Sequence, residues 1–149
     1  RDCSIDDHHG DRFTLILCDL DHFKEVNDTY GHVIGDLLLQ ASANALREAT
    51  RDGDSIFRFG GEEFAILLPH VDCRDGEDVA DRIRAAINNI RIPCGDRQVQ
   101  VTASAGVASH RRGETPNQWV ARAHDALYRA NGAGRNCTRI AHVVAAPAV

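Results

Sequence analysis

Two pairs of carboxylates stand beside runs of apolar residues: Asp19 and Asp21 close the stretch FTLILCDLD, and Glu62 and Glu63 interrupt FRFGGEEFAILL. Side chains alternate along a strand, so Asp19 and Asp21 are expected on one side, with the Leu20 carbonyl free at the strand end. Carboxylates with a backbone carbonyl suit a hard cation such as Mg²⁺, which is usually shared with substrate phosphates. If the strands around the glycines flank the first strand, Glu62 and Glu63 arrive beside Asp19. Such a cluster repels itself unless a cation is present. Taken singly, Asp21 could cap the following turn, and a glutamate could sit at the bend because bends are exposed. Two glutamates beside Gly-Gly, followed at once by Phe64, fit that plainer account less well.

The elements that must position these groups follow from periodicity. Phe13 to Leu20 is an apolar run of the kind buried on both faces of a sheet. His22 to Asp28 leaves room for a short helical turn. From about Ile34 to Ala49, Leu38, Ala41, Ala45, Leu46 and Ala49 recur at helical spacing. Two strands, Ser55 to Phe59 and Phe64 to Leu68, are joined at Gly60-Gly61, which can supply the positive φ angles of a tight hairpin, and Pro69 stops the second. Val79, Ile83, Ile87 and Ile90 mark a helix from Glu77 to Arg91, followed by a turn at Pro93 to Asp96. Alternation from Gln98 to Ser109 predicts a half-buried strand. Thr115-Pro116-Asn117-Gln118 carries an N-cap, a first-turn proline and a capping-box Gln, opening a helix to Gly132. A last strand from Cys137 to Val144 precedes a disordered tail at about 145–149. Mixed strands and helices of this order predict an α+β fold with helices packed across a sheet.

Composition limits the partners. The 149 residues suit one domain, and 43% hydrophobic with 26% charged residues is a globular balance. A net charge of -5 argues against wrapping a nucleic acid duplex, which takes clustered Lys and Arg. The five cysteines (Cys3, Cys18, Cys73, Cys94, Cys137) form no C-x-x-C pair, so reduced thiols in a cytoplasmic protein are expected. No apolar run approaches the roughly 20 residues of a membrane span. With Arg1 first and no Met, the chain reads as a fragment of a longer protein, with its regulator outside it.

DLDHFKEVNDTYGHVIGD (Asp19 to Asp36) followed by RFGGEEF (Arg58 to Phe64) resembles the GGDEF domain of diguanylate cyclases, in its GGEEF spelling. SAGVA (Ser104 to Ala108) and ALYRANGAGRN (Ala126 to Asn136) continue the likeness along the chain. The resemblance implies a mostly antiparallel five-stranded sheet flanked by helices, similar to the palm fold of nucleotidyl cyclases and polymerases. It also implies condensation of two GTP into cyclic di-GMP with release of two pyrophosphates. Asp19, the Leu20 carbonyl and Glu63 match metal ligands, and Glu62 matches a position that activates the 3′-hydroxyl or holds a second metal. Mg²⁺ is implied, two ions per GTP half-site, with Mn²⁺ as an alternative.

For GTP, Asn27 and Asp36 match guanine-reading positions, an Asp accepting from N1–H and the 2-amino group. On their own they would be a turn residue and a helix N-cap. His32 falls near the ribose, Phe23 and Lys24 lie in a loop whose N–H groups cradle phosphate, and Arg135 matches a second phosphate-binding cation. Arg58 either supports the site or pairs with an acid. Two departures stand out: Asn131 replaces a usual phosphate-contacting Lys, and His124 a usual Asp. The lost cation should weaken GTP binding by about 1–3 kcal/mol, unless Arg129 or Lys24 compensates.

Arg51-Asp52-Gly53-Asp54 has the R-x-x-D form of a product-inhibition site, with Arg51 and Asp54 gripping cyclic di-GMP and Arg82 matching a further arginine. Arg is suited to this because its planar fork bonds guanine or phosphate bidentately. A plain charged loop is the other reading. One domain offers one GTP half-site, so catalysis is expected in a homodimer of two such domains. A domain retaining only GTP or cyclic di-GMP binding, as a receptor, is the competing reading.

Overall fold

The computed structural model describes residues 12–141. Its first strand, β1 (Phe13–Leu20), is followed by two helices, α1 (Phe23–Tyr30) and α2 (His32–Ala49). The hairpin β2 (Ser55–Arg58) and β3 (Glu63–Pro69) leads into α3 (Cys73–Asn88). A small ribbon of β4 (Ile92–Cys94) and β5 (Arg97–Val99) precedes β6 (Ala103–Ser109), α4 (Pro116–Gly132) and β7 (Thr138–Ile140). The main sheet has five strands in the order β2-β3-β1-β6-β7, antiparallel except for the β6–β7 pair. The expected α+β, mostly antiparallel five-stranded architecture is therefore present.

Alternation along β1 divides the core. Ile16, Cys18 and Leu20 face a cluster with Phe23, Val26, Leu38, Leu46, Ile83 and Ile87, so α1, α2 and α3 cover one side. Leu15 and Leu17 face Ala123, Ala126 and Leu127, so α4 covers the other. With apolar residues on both faces and strands on both edges, β1 is the rigid centre of the molecule, and Asp19 sits at its end.

Several boundaries differ from expectation for identifiable reasons. The short turn after β1 is a helix of eight residues, separated from α2 by Gly31 alone at φ 94°. That left-handed angle lets one glycine stop one helix and start the next. Asp36 therefore lies inside α2 and caps nothing. Helix α3 starts earlier than its apolar spacing suggests because Asp72 caps it, accepting from Asp75 N at 2.9 Å. The expected turn at Pro93 is half of the β4–β5 ribbon, which reverses at Gly95 (φ 64°); a two-stranded ribbon has free edges where proline costs no ladder bond.

The single half-buried strand after that point is two strands, and β6 is buried from Ala103 through Ala108. Its alternation misleads because Gly106 and Ser104 are small rather than solvent-facing. A Cβ on Gly106 would lie 2.4 Å from Ala123 O and Leu127 N, so α4 rests directly on the strand backbone. The hairpin also departs from expectation: Gly60 and Gly61 are not in the left-handed region. Its strands are joined by four residues, Phe59 to Glu62, a length that needs no primed two-residue turn. Pro69 is the last residue of β3 rather than its terminator. The expected last strand is confined to Thr138–Ile140, and its continuation at 142–144 and the tail at 145–149 lie outside the described residues. Cys18, Cys94 and Cys137 are free thiols, but Cys73 is disulfide-bonded, which corrects the expectation of reduced cysteines; spacing along a chain does not reveal which cysteines the fold brings together. No helix among the described residues is long and apolar enough to cross a membrane.

Candidate active site

The β1–β3 register puts Asp19 directly opposite Glu63. Facing like charges destabilise an antiparallel pair, and here the burial is unbalanced as well. Asp19 Oδ1 and Glu63 Oε2 are both buried without a hydrogen-bond donor. His124 Nε2 lies 2.9 Å from Glu63 Oε2, within ion-pair distance but outside hydrogen-bond alignment. Its ring rests against Phe59, centroids 5.5 Å apart.

Burial, then the neighbouring charges of Glu62, Glu63 and Asp21, push the Asp19 carboxyl up to about 7, while Arg135 acts in the opposite direction. A divalent cation fits this donor set: two carboxylates with unused lone pairs at the strand end that carries the Leu20 carbonyl. No cage of three or more His, Cys, Asp or Glu side chains is preformed among the described residues. That suits an ion bound by one or two carboxylates and completed by substrate phosphates.

The hairpin is clamped so that its acids stay at the end of β1. Leu20 N donates to Glu62 O at 3.3 Å, and Phe59 N and Gly60 N donate to Glu63 O at 2.7 and 3.2 Å. Arg58 donates through Nε and Nη2 to Gly61 O at 3.2 and 2.6 Å, so its role is support rather than pairing with an acid. A Cβ on Gly61 would meet nothing within 4 Å, leaving the bend open to whatever approaches the carboxylates.

On the other side, Val26 N is bonded to His22 O at 3.2 Å. The N–H groups of Phe23, Lys24 and Glu25 precede that first intrahelical bond and head α1 without a helical partner. Phe23 is thus a helix residue with a buried side chain, not part of a loop, and Lys24 is exposed beside it. Asn27 packs against α2, where a Cβ on Gly35 would fall 1.8 Å from Asn27 Oδ1. Asp36 follows Gly35 and borders a cleft of about 390 Å³ lined in part by Leu39, Ala43, Arg47, Ile56 and Phe64. His32 is exposed at the start of α2. Arg135, in the turn after α4, is exposed with φ 66°, and its charge reaches Asp19.

Asp21 does not join Asp19. It is 3% exposed and accepts from Thr102 Oγ1 and Ser104 Oγ, each at 2.6 Å, and from Asn136 N at 3.0 Å. Strand alternation no longer governs it because β1 ends at Leu20. No local signal could have found these partners, which lie more than eighty residues along the chain.

A second polar group forms at the far end of β2. Asp54 Oδ2 accepts from Arg51 N at 2.8 Å, while Asp54 Oδ1 is buried without a donor. Arg51 remains 68% exposed, its Nε 3.9 Å from Asp54. Arg82 donates to Ala49 O at 3.1 Å, which brings it to the same turn from α3.

The sequence matches the model of the diguanylate cyclase GGDEF domain over residues 2–137. The chain belongs to the GGDEF domain family. Among its relatives, the diguanylate cyclase VdcA of Vibrio cholerae is 38% identical over 132 residues, 87% of this GGDEF chain and 39% of that protein. The diguanylate cyclase DgcM of Escherichia coli K12 is 42% identical over 124 residues, covering 83% and 30%. The chain thus spans well under half the length of these curated relatives. Among solved structures, the diguanylate cyclase SiaD of Pseudomonas aeruginosa, in complex with its activator SiaC, superposes with TM-score 0.85 at 41% identity, covering 91% of this chain and 52% of that one. The GGDEF domain of DgcB from Caulobacter crescentus, in complex with c-di-GMP, gives TM-score 0.84 at 30% identity, covering 89% and 79%.

Proposed function

We propose that this GGDEF domain is the catalytic part of a diguanylate cyclase, joining two GTP molecules into cyclic di-GMP with release of two pyrophosphates. The observation that carries the reading is the facing pair Asp19 and Glu63, each with a buried oxygen lacking a donor. Asp19, Glu63 and the Leu20 carbonyl would hold Mg²⁺ or Mn²⁺, with Glu62 serving a second ion. Bound there, the metal supplies charge neutralisation at the attacked α-phosphate and the leaving pyrophosphate.

The remaining work falls to the chain itself. Unpaired N–H groups at the head of α1 receive the β- and γ-phosphates at the positive end of the helix dipole. Lys24 and Arg135 add charge there. Asp36 accepts from guanine N1–H and the 2-amino group, Asn27 reads the same base, and His32 lies near the ribose. As the alternative to serving a second ion, Glu62 draws the proton from the attacking 3′-hydroxyl. The symmetric product requires two domains, each presenting its GTP to the other.

Arg51, Asp54 and Arg82 form the product-inhibition site. The donor-less Asp54 oxygen beside an exposed arginine supports this, as does the cyclic di-GMP complex of DgcB. We place the domain in a longer cytoplasmic signalling protein whose other parts control dimerisation. The part-length coverage of the relatives and the activator complex of SiaD agree with that placement.

One observation favours a receptor instead. Asn131 brings no charge to the phosphate region, and its Oδ1 is buried without a partner. The deciding experiment incubates the protein at high concentration with GTP and Mg²⁺, separates products by chromatography, and uses Glu63→Gln as control. Cyclic di-GMP from the parent alone supports the cyclase. Silence that persists after fusion to a dimerising partner, with cyclic di-GMP still bound, replaces the cyclase by the receptor.

A further inference from the structure

We infer that Asp21 is a positioning residue for Arg135, and not a partner of Asp19 in holding metal; this rests on the proposed role of Arg135 at the GTP phosphates. All three donors to the Asp21 carboxylate come from elsewhere in the fold: Thr102 and Ser104 where the chain enters β6, and the backbone N–H of Asn136 beyond α4. Asn136 N is shared with Ser104 Oγ at 3.1 Å, so the hydroxyl donates to Asp21 while accepting from the loop. A carboxylate so engaged has three of its roughly four lone-pair sites committed and is poorly placed to bind an ion as well.

What this bond network holds is an unfavourable backbone. Arg135 and Asn136 are consecutive non-glycine residues in the left-handed region, at φ 66° and 50°. L-residues resist that conformation, and it persists only where surroundings enforce it. Arg135 N donates to Ala130 O at 3.0 Å on one side of the turn. On the other, Arg84 donates to Asn136 Oδ1 at 3.3 Å and to Thr138 Oγ1 at 2.8 Å. Asp21 supplies the buried anchor between them. The Arg135 guanidinium is exposed, so its direction follows from the backbone turn, and its charge is the one that opposes the acidic cluster at Asp19.

Two measurements on the whole chain test this. In the first, ¹³Cα and ¹³Cβ shifts of Arg135 and Asn136, without nucleotide, report the left-handed turn in the parent; Asp21→Asn should move both toward extended or averaged values. Left-handed shifts that survive Asp21→Asn overturn the inference, whatever the protein does with GTP. The second is a double-mutant cycle on GTP affinity, measured calorimetrically with Mg²⁺. Arg135→Ala and Asp21→Asn should each weaken binding about tenfold, and the double variant should be no weaker than Arg135→Ala alone. Multiplying losses overturn the inference, because Asp21 would then act on GTP or metal independently. If Asp21→Asn does not fold, Ser104→Ala takes its place in both measurements, since it removes one bond to the carboxylate and keeps its charge. A parent that binds no GTP would fault the proposed function while leaving the shift measurement to decide on Asp21.

Discussion

Asp19 is an unfavourable residue in the metal-free protein, and its pH dependence follows from that. Its carboxyl is pushed up to about 7 in the fold, by burial first and by Glu62, Glu63 and Asp21 after it, against roughly 3.9 when unfolded. A group raised in the folded state contributes stability that is full below its unfolded value and lost as pH rises through its folded one. Without divalent metal, the melting temperature should therefore fall between about pH 4 and 7 more steeply in the parent than in Asp19→Asn. Mg²⁺ should restore the parent mostly at the upper end of that window, where it has no proton to displace. Equal slopes for the two proteins, or a metal effect that is flat with pH, would count against an ion at Asp19. At this scale the sequence was informative about Asp19, Glu62 and Glu63, because a strand end and a hairpin are local patterns. It was silent about Asp21 and about the contact of His124 with Glu63, because both depend on residues brought in by the sheet.

Glycines separate the elements that hold the fold from those that shape the site. At Gly106 an added methyl would strike the backbone of α4 at 2.4 Å, a neighbour that cannot turn aside. Gly106→Ala should therefore cost about 1–3 kcal/mol through overpacking, read as a lower midpoint in urea with the slope unchanged. At Gly35 the obstacle is the Asn27 side chain, at 1.8 Å, which can swing away. Gly35→Ala should leave the melting temperature close to the parent, because the helix gains about 1 kcal/mol from alanine while Asn27 is displaced. Its signature should be functional: weaker preference for GTP over ATP in a competition assay. Unchanged preference would remove Asn27 from base reading. The helices were legible where capping chemistry is local, as at Thr115, Pro116 and Gln118, whose capping box is present. β6 departs from the expected alternation because Gly106 is set by its close approach to α4 and Ser104 by its buried bonds to Asp21 and Asn136, both of which periodicity registers as exposed polarity.

The two turns proposed for catalysis and for product binding are joined by a strand of four residues. β2 links Asp54 at the proposed product site to Phe59 at the hairpin, five residue steps or roughly 17 Å at the usual rise per residue. Arg82, held to Ala49 O, adds α3 to the product site, so bound product would tie α2, α3 and the start of β2 together. Arg51→Ala should relieve inhibition by cyclic di-GMP while leaving the initial rate similar; full inhibition at the same product concentration would move the site elsewhere. The proposed active site is unfinished within one chain. In the proposed reaction each half of cyclic di-GMP is the attacking group of one GTP and the target of the other, so two equivalent domains would have to meet face to face. Each brings an acidic cluster in a chain of net charge -5, and like-charged partners associate poorly at low ionic strength. Specific activity should therefore rise with protein concentration, and an excess of the Glu62→Gln variant should poison a fixed amount of parent. Rates that stay proportional to the parent alone, whatever variant is added, would mean that one domain completes the reaction unaided.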